Sequence, residues 1–339
     1  MNVDGWRDFY SEYVTGHEKL VDAYLRFIEI LQAKGLPPIF EFQHLARLLD
    51  VEESLLAAVV RNSTEFYREF SIPKRSGGTR TISVPQPSLL HCQRWVNREI
   101  LQNLEVSDRA FGFVSGRSVV NNAAEHLGRS FLLNLDILNF FPSINSNLVL
   151  NAFLGLGYPP SVSLVLTEIC CVDEKLPQGA PTSPALSNYL CKNLDHELEA
   201  ICNTLDLKYS RYADDMTFSG EIIESDAINK ISFIIESFGF KLNKAKTRVS
   251  GPHSKKIVTG VSIGTGKMKL PRRTVRTIKS DAHFLKKFGP VEFSKRQTIP
   301  DPLAAERLLG RVSFWLQIDP ENHIAQSIKA DISHTLTTQ

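Results

Sequence analysis

The chain has 339 residues, of which 42% are hydrophobic and 22% are charged, and its formal net charge at pH 7 is only +2. This length suits about two domains, and the composition excludes collagen-like, mucin-like and wholly disordered proteins. No apolar run reaches the roughly 18 residues that a membrane helix needs, and the first residues show no basic stretch followed by an apolar one. The sequence therefore predicts a cytoplasmic protein with no membrane partner.

The charge is distributed unevenly along the chain. Between Lys241 and Arg296 there are sixteen lysines and arginines against two acids, Asp281 and Glu292, which gives this segment a net charge of +14. The rest of the chain carries −12. Like charges at this density oppose folding unless a polyanion neutralises them, and phosphate groups are the usual partners of lysine and arginine. The pattern therefore favours a nucleic acid as the partner.

The cysteines predict neither a disulfide framework nor a metal site. Their number is odd, and no two of them form a C-x-x-C pair. Free, buried thiols are the expectation, in agreement with a reducing compartment. The five residues are Cys92, Cys170, Cys171, Cys191 and Cys202.

Helices and a hairpin are predicted in the first 130 residues. Apolar residues at helical spacing predict helices within residues 1–64, interrupted by the Gly-Leu-Pro-Pro run at 35–38. Two strands follow, joined by a flexible basic tip with two glycines, and then a helix begins at a proline. These elements are predicted at 65–71, 79–84 and 87–104.

Strands and helices alternate in the remainder of the sequence. A short apolar strand is predicted to end at Asp136, and two strands flank Asp214-Asp215. A long helix is predicted from Ser183, as its N-cap, to Leu205. Further helices are predicted at 225–238, 272–288, 303–317 and 321–336, and strands near 240, at 257–263 and at 267–270. This order predicts an α+β fold with a basic helical C-terminal region.

Carboxylates at two strand ends indicate a cation site. Asp214 and Asp215 are adjacent and lie between apolar stretches, so they repel each other and lose hydration unless a cation is present. Asp136 adds a third carboxylate if its strand lies beside theirs. Three carboxylates can hold two Mg²⁺ ions about 3.5 to 4 Å apart. That arrangement supports nucleotidyl transfer by in-line displacement.

Motifs in a fixed order resemble those of one enzyme family. Tyr-Ala-Asp-Asp at 212–215 resembles the YxDD signature of reverse transcriptases, and residues 136–141 resemble the first catalytic motif of their palm. Between them, Leu-Pro-Gln-Gly-Ala-Pro-Thr-Ser-Pro at 176–184 is similar to the PQGxxxSP motif. Asn-Ala-Ala-Glu-His at 122–126 resembles the NAxxH sequence, and Val-Thr-Gly at 258–260 the VTG sequence, of retron reverse transcriptases. The resemblance covers residues 65–339.

The resemblance implies a right-hand polymerase with fingers, palm and thumb. The implied divisions are a helical N-terminal segment at 1–64, fingers at 65–130, a palm at 131–265 with parts of 145–185 returning to the fingers, and a basic helical thumb at 266–339. The implied enzyme copies part of its own structured noncoding RNA into multicopy single-stranded DNA, starting from a guanosine 2′-hydroxyl and consuming deoxynucleoside triphosphates. A role in anti-phage defence, with an accessory effector protein, is also implied.

The same resemblance implies the site residues. Asp136, Asp214 and Asp215 match the metal-binding triad for two Mg²⁺ ions, or Mn²⁺, with the main-chain carbonyl of Ile137 as a further ligand. Phe141 matches the aromatic floor under the incoming sugar, where a ring disfavours a 2′-hydroxyl. Further matches in the nucleotide site are Lys74, Arg80, Gln178 and Gly179. Implied contacts with RNA or primer are Asn122, His126, Val258, Thr259, Gly260, Arg272, Arg273, Arg276 and Lys279.

Alternatives stay open for several of these residues. Phe141 could instead be a core residue beside Phe140, and Arg75 could take the place of Lys74. Lys246 could act as an acid toward pyrophosphate or be a solvated lysine.

His126 could act as a general base, but helical i, i+4 spacing favours a role in which Asn122 and His126 hold backbone or RNA in position. For the whole chain, the alternatives are another bacterial reverse transcriptase, either group II intron-like or defence-associated, and a catalytically idle RNA-binding scaffold.

Overall fold

The computed structural model describes residues 3–14, 17–73, 77–296 and 300–337. The contacts between residues divide the chain into two units. The first unit comprises Met1–Phe113, Ile137–Glu197 and Ile234–Lys241, and the second comprises Val114–Asp136, Leu198–Phe233 and Leu242–Gln339. These limits differ from the boundaries predicted at 64, 130 and 265, so the division into fingers, palm and thumb stays a prediction.

Helices and strands alternate as the sequence predicts for an α+β fold. The helices are α1 (Val3–Tyr13), α2 (Glu18–Ala33), α3 (Phe42–Leu49), α4 (Glu53–Arg61), α5 (Pro87–Glu99), α6 (Val119–Ala124), α7 (Phe140–Ser143), α8 (Ser146–Leu156), α9 (Pro160–Cys170), α10 (Ser183–Leu190), α11 (Lys192–Thr204), α12 (Ser225–Ser237), α13 (Arg272–Lys295), α14 (Ala304–Ile318) and α15 (His323–Thr337). The strands are β1 (Tyr67–Pro73), β2 (Thr79–Pro85), β3 (Phe131–Asp136), β4 (Lys208–Tyr212), β5 (Asp215–Gly220), β6 (Arg248–Ser250), β7 (Ile257–Val258) and β8 (Val261–Ser262). None of the helices in the described residues has the length and apolar character that crossing a lipid bilayer requires.

Helix α9 lies at the centre of the packing in the first unit. It is apolar over most of its surface, as expected for a helix surrounded by protein, and it contacts α3, α4, α5 and α8. Strands β1 and β2 form an antiparallel hairpin. Gln93 on α5 donates hydrogen bonds to the Tyr67 hydroxyl at 2.6 Å and to the Ile169 carbonyl at 2.8 Å. The amide therefore ties the hairpin to the helical core.

Aromatic rings join α1 to α2 at the N-terminal end of the first unit. The Trp6 ring centroid lies 6.0 Å from that of Tyr10 and 5.7 Å from that of Phe40. Tyr10 in turn stacks on Tyr24, with 5.6 Å between the centroids. Pairs at these separations add attraction beyond the burial of their area.

A four-stranded antiparallel sheet organises the second unit. Its strand order is β4-β5-β3-β6, so the strand that ends at Asp136 pairs directly with β5. Because side chains alternate along a strand, one face buries Leu133, Met216 and Phe218. The other face carries the polar residues of the site described below.

A hairpin and three helices complete the second unit. Strands β7 and β8 are joined by a two-residue turn, and α13, α14 and α15 pack against one another. Trp315 and Val312 on α14 lie in the shared core. Helix α13 is interrupted at Gly289, whose φ of 78° is outside the helical range, and Pro290 follows. The helix predicted at 272–288 therefore continues beyond this kink to Lys295.

The helix predicted from Ser183 to Leu205 is wrong in two respects. It is two helices, α10 and α11, separated by the fully buried Cys191. Ser183 is the first residue of α10 instead of its N-cap, which is Thr182. The Ser183 hydroxyl donates to the Pro177 carbonyl at 2.7 Å. The serine thus closes the preceding loop.

Three smaller predictions also need correction. Within the described residues, no strand includes Phe240, whose ring packs 6.0 Å from that of Phe140. The strand predicted at 267–270 is reduced to a single bridge between Ser262 and Lys269. The helix predicted at 87–104 ends at Glu99 and is followed by a 3₁₀ turn. The prediction of free, buried cysteines is confirmed for all five.

We expect Phe218→Ala to lower the free energy of unfolding by about 3 to 5 kcal/mol, because it leaves a cavity in the centre of the sheet. The Phe218 side chain is fully buried, and its ring lies 4.9 Å from that of Tyr209. Urea denaturation followed by circular dichroism measures the change.

The matched control is Phe233→Ala on α12, where the residue is 73% exposed. This change should alter stability by less than about 0.5 kcal/mol. Equal decreases in the two variants would contradict the placement of Phe218 in the core.

Candidate active site

A tight turn presents two of the predicted acids. Tyr212 pairs with Asp215 across β4 and β5, so Ala213 and Asp214 form a two-residue loop. Ala213 has a φ of 57°, which residues other than glycine adopt infrequently. Such strain persists only where the surrounding structure enforces it, and it is frequent at functional sites.

Strand pairing brings the third acid opposite this turn. Asp136 is the last residue of β3, and its Cα partner across the strands is Asp215. Opposed residues of an antiparallel pair carry their side chains on the same face of the sheet. Asp136 is 5% exposed, whereas Asp215 is partly open to solvent. The sheet therefore places a buried and an accessible carboxylate side by side.

Two residues that shortly precede β6 bind Asp136. The Lys246 Nζ donates to Asp136 Oδ2 at 2.7 Å, and the Asn243 Nδ2 donates to Oδ1 at 3.2 Å. The Asn243 main-chain N–H also donates to the Asp136 carbonyl at 2.8 Å. The hydrogen bond to Asp136 raises the pKa of Lys246, so this ammonium stays charged. Both oxygens of the buried carboxylate therefore have partners.

The acids perturb each other. Burial is the largest of the effects that raise the pKa of Asp215 to about 6; the neighbouring charges of Asp214 and Asp136 act in the same direction, and Lys246 acts in the opposite one. A raised carboxyl pKa means that the ionised form is disfavoured in the folded chain. At neutral pH the ionised Asp215 therefore opposes folding unless an added positive charge is bound beside it.

The chemistry of these donors fits a hard divalent cation, and the charges of Asp214 and Asp136 both act on Asp215. Over residues 3–14, 17–73, 77–296 and 300–337, no group of three or more His, Cys, Asp or Glu side chains is arranged to hold a metal ion. The ammonium of Lys246 supplies the positive charge beside Asp136.

In the first unit, the loop of the PQG sequence lies against β2. The main-chain N–H of Ser83 donates to the Gln178 carbonyl at 2.9 Å. Gly179 has a φ of 136°, and a Cβ atom at this position would lie 2.6 Å from the Ser83 carbonyl oxygen. Only glycine allows this close approach of two main chains.

The other predicted nucleotide-site residues of the first unit have different environments. Ile137 is buried, and Phe141 on α7 is half-buried, with its ring 6.3 Å from Phe113 and 5.4 Å from Phe140. Arg80 is exposed on β2 opposite Ile72. Lys74 and its alternative Arg75 lie outside the described residues.

The predicted RNA contacts fall into a buried and an exposed group. Asn122, His126 and Val258 are fully buried, and Thr259 is half-buried. The predicted helical spacing is wrong, because α6 ends at Ala124, before His126. The exposed group consists of Gly260, Arg272, Arg273, Arg276 and Lys279.

The VTG sequence forms the turn between β7 and β8. Thr259 and Gly260 are its two central residues and have φ values of 43° and 85°. Positive φ at both positions defines the turn whose twist suits a two-residue hairpin. Val258, which precedes it, packs in the core shared with the C-terminal helices.

The sequence does not predict three partners of the site. Asn243 lies three residues before Lys246, and nothing in the sequence distinguishes it from a surface asparagine. Ser210 and Ser219, which bind His126, are small polar residues in strands. Their only signal is alternation, because Ser219 is four residues after Asp215 and therefore lies on the same face of β5.

The comparisons with known proteins agree with this site. The family model "Reverse transcriptase (RNA-dependent DNA polymerase)" matches residues 72–263, which defines the chain as an RNA-directed DNA polymerase with the right-hand polymerase fold. The chain is 34% identical over 297 residues to the Retron Ec86 reverse transcriptase of Escherichia coli, covering 86% of this chain and 89% of that protein. It is 31% identical over 331 residues to the Retron Mx162 reverse transcriptase of Myxococcus xanthus, covering 86% and 67%. The chain belongs to the retron reverse transcriptases.

Among solved structures, a telomerase from Candida albicans in complex with a fragment of telomeric RNA aligns with a TM-score of 0.46 and 11% identity, over 84% of this chain and 67% of that chain. Family membership confirms the predicted fold class and enzyme class. It also implies RNA and DNA as partners and a general dependence on divalent metal ions.

We expect Gly179→Ala to destabilise the first unit by about 1 to 3 kcal/mol, because the added methyl group meets main chain and the φ angle is strained for alanine. DNA synthesis should fall as well, since the PQG loop must shift away from β2. Urea denaturation and primer extension measure the two effects.

Gly155→Ala on α8 is the matched control, because a Cβ there meets nothing within 4 Å. This change should leave activity unaltered and stabilise the chain by about 0.4 to 1 kcal/mol. Full stability and activity of Gly179→Ala would contradict the close approach to Ser83.

Proposed function

We propose that this chain copies part of a structured noncoding RNA into multicopy single-stranded DNA, beginning at a guanosine 2′-hydroxyl of that RNA. The observation that carries the proposal is the pairing of Asp136 with Asp215 across β3 and β5, at a strained turn that also holds Asp214. The relation to retron reverse transcriptases over most of the chain supports the choice of product.

Asp136, Asp214 and Asp215 would hold the catalytic cations, together with the main-chain carbonyl of Ile137. Two Mg²⁺ ions are proposed, and Mn²⁺ could replace them. Bound there, the ions would lower the pKa of the attacking hydroxyl and neutralise the leaving pyrophosphate. Because the Lys246 ammonium donates to Asp136 Oδ2, we assign it as a counter-charge to this carboxylate, in preference to an acid.

The proposed nucleotide site draws on residues of the first unit. Phe141 would lie under the sugar and exclude a 2′-hydroxyl. Arg80 and Lys74 would bind the triphosphate, since guanidinium and ammonium groups both suit phosphate oxygens. Gln178 would border the nucleotide and template, with Gly179 keeping the loop close to β2.

The basic start of α13 is the proposed RNA surface. Arg272, Arg273, Arg276 and Lys279 are exposed on it, and Gly260 is exposed at the turn of β7 and β8. Lysine and arginine along an A-form duplex recognise shape and phosphate. The polymerase is further proposed to act in anti-phage defence with an effector protein, as part of a cytoplasmic complex.

The first experiment identifies the nucleic acid bound to the chain. The protein is purified from cells that carry its native locus, and the bound nucleic acid is treated with ribonuclease or debranching enzyme before sequencing. Short single-stranded DNA whose mobility changes on debranching supports the proposal. Unbranched DNA would indicate a different reverse transcriptase lineage, and RNA alone, with no DNA synthesis in Mg²⁺, would indicate an RNA-binding scaffold.

We expect the double variant Asp214→Asn, Asp215→Asn to abolish DNA synthesis while RNA affinity stays within about twofold, because the change removes charge from the cation site and leaves the basic surface intact. Primer extension and filter binding measure the two properties. Addition of Mg²⁺ should raise the melting temperature of the wild type and not that of the variant.

Asp226→Asn on α12 is the matched control, since this exposed acid pairs with Lys230 away from the turn. It should retain full activity. DNA synthesis by the double variant would show that the acids are assigned wrongly.

We expect replacement of Arg272, Arg273 and Arg276 by glutamine to flatten the salt dependence of RNA binding, because each arginine that neutralises a phosphate adds about 0.7 to 0.9 to the logarithmic slope. Binding isotherms between low and moderate salt measure the slope. Arg98→Gln on α5, where the arginine pairs with Glu99, is the control and should leave it unaltered. An unaltered slope in the triple variant would remove α13 from the RNA surface.

A further inference from the structure

His126 connects β4 and β5, the two strands on either side of the turn at Ala213 and Asp214, which are called the catalytic hairpin below. Its Nδ1 lies 2.7 Å from the Ser219 hydroxyl on β5, and its Nε2 lies 2.7 Å from the Ser210 hydroxyl on β4. The imidazole is fully buried, as are both serines. The ring therefore connects β4 and β5 by side-chain hydrogen bonds in addition to their main-chain ladder.

These hydrogen bonds lie on the face of the sheet that carries the acids. Ser219 follows Asp215 by four residues along β5, and Ser210 precedes Tyr212 by two along β4. Residues separated by an even number share a face. At about 3.3 Å per residue, Ser219 is about 13 Å from Asp215. A displacement of the strands at His126 would therefore be transmitted along β5 to the turn.

The imidazole at this position is neutral. Burial, which is the larger effect, and the charge of Arg129 together lower the pKa of His126 to about 3. A neutral imidazole has one N–H donor and one acceptor nitrogen. One serine hydroxyl must therefore accept a hydrogen bond and the other must donate one, in one of two arrangements that correspond to the two tautomers of the ring.

The segment that carries His126 is also fixed at its other end. The Ser118 hydroxyl accepts a hydrogen bond from the Asn121 N–H and caps α6. The Thr259 hydroxyl donates to the Val119 carbonyl at 3.2 Å, and the Asn122 Nδ2 lies 3.4 Å from the same hydroxyl. Residues 118–126 thus connect the turn of β7 and β8 to the strands of the catalytic hairpin.

The geometry points to His126 as a positioning residue for DNA synthesis, which holds β4 and β5 so that their turn presents Asp214 and Asp215 correctly. The assignment rests on the proposed catalytic role of these acids. It replaces RNA contact as the function of the histidine in the NAxxH sequence, and it requires no contact between the imidazole and substrate.

The test separates positioning from stability. His126→Phe keeps a ring and leaves two buried hydroxyls without partners, which should lower the melting temperature. Combining it with Ser210→Ala and Ser219→Ala removes these hydroxyls, and the melting temperature should recover, because removal of all the polar partners can be nearly neutral. DNA synthesis is measured on poly(rA) annealed to oligo(dT), with dTTP and Mg²⁺, alongside affinity for the same template and primer.

We expect the triple variant to retain a kcat about 10- to 100-fold below that of the wild type, since small displacements of catalytic groups have effects of this size. KM for dTTP and affinity for the template and primer should stay within about twofold. Ser210→Ala and Ser219→Ala, made singly, should each lower kcat by a smaller factor. These two variants test the proposal if His126→Phe does not fold. His91→Phe is the control, because it removes a histidine that lies 2.7 Å from the Leu49 carbonyl in the first unit.

Recovery of both melting temperature and kcat in the triple variant would overturn the proposal, because His126 would then act on stability alone. Weaker affinity for template and primer with kcat preserved would overturn it in favour of a role in nucleic-acid binding. DNA synthesis on this template by the double variant Asp214→Asn, Asp215→Asn would instead contradict the catalytic assignment of the acids, so the two failures are distinguishable.

Discussion

The repulsion between neighbouring carboxylates is the constraint that the second unit has to satisfy. Antiparallel pairing places Asp136 beside Asp215 on one face of the sheet, where burial and like charge both disfavour ionisation. The arrangement persists because Lys246 and Asn243 bind Asp136 and because the opposite face of the sheet buries apolar side chains. The proposed cluster of catalytic acids therefore depends on stability from elsewhere in the unit.

The strained turn at Ala213 and the hydrogen bonds of His126 both depend on the pairing of β4 with β5. Ala213 adopts a positive φ only because β4 and β5 fix both ends of a two-residue loop. His126 restricts the separation of these strands at a point further from the turn, and Thr259 anchors the segment that carries it. A flexible hairpin would relax by letting the acids move apart. The proposed positioning role therefore follows from the same repulsion that would favour a cation at the proposed site.

The sequence predicts the parts of this site that depend on local pattern. The apolar run of β3 predicts a strand that ends at Asp136, as the structure confirms, and the turn at Ala213 and Asp214 follows from short apolar segments on both sides. The roles of Asn122 and His126 could not be predicted, because local spacing contains no information on which distant strands a buried side chain meets.

The predicted helix from Ser183 is wrong for a related reason. Helical propensity continues through Cys191, but tertiary packing divides the segment there.

The clustered arginines at the start of α13 repel one another, as the clustered acids do. Asp281 and Asp331 neutralise basic side chains further along the C-terminal helices. In the described chain no ion pair reaches Arg272 or Arg273, and the positive end of the helix dipole adds to their repulsion. Bound phosphate would relieve both effects, so the most unfavourable charges of the C-terminal helices lie where a nucleic acid would stabilise them most.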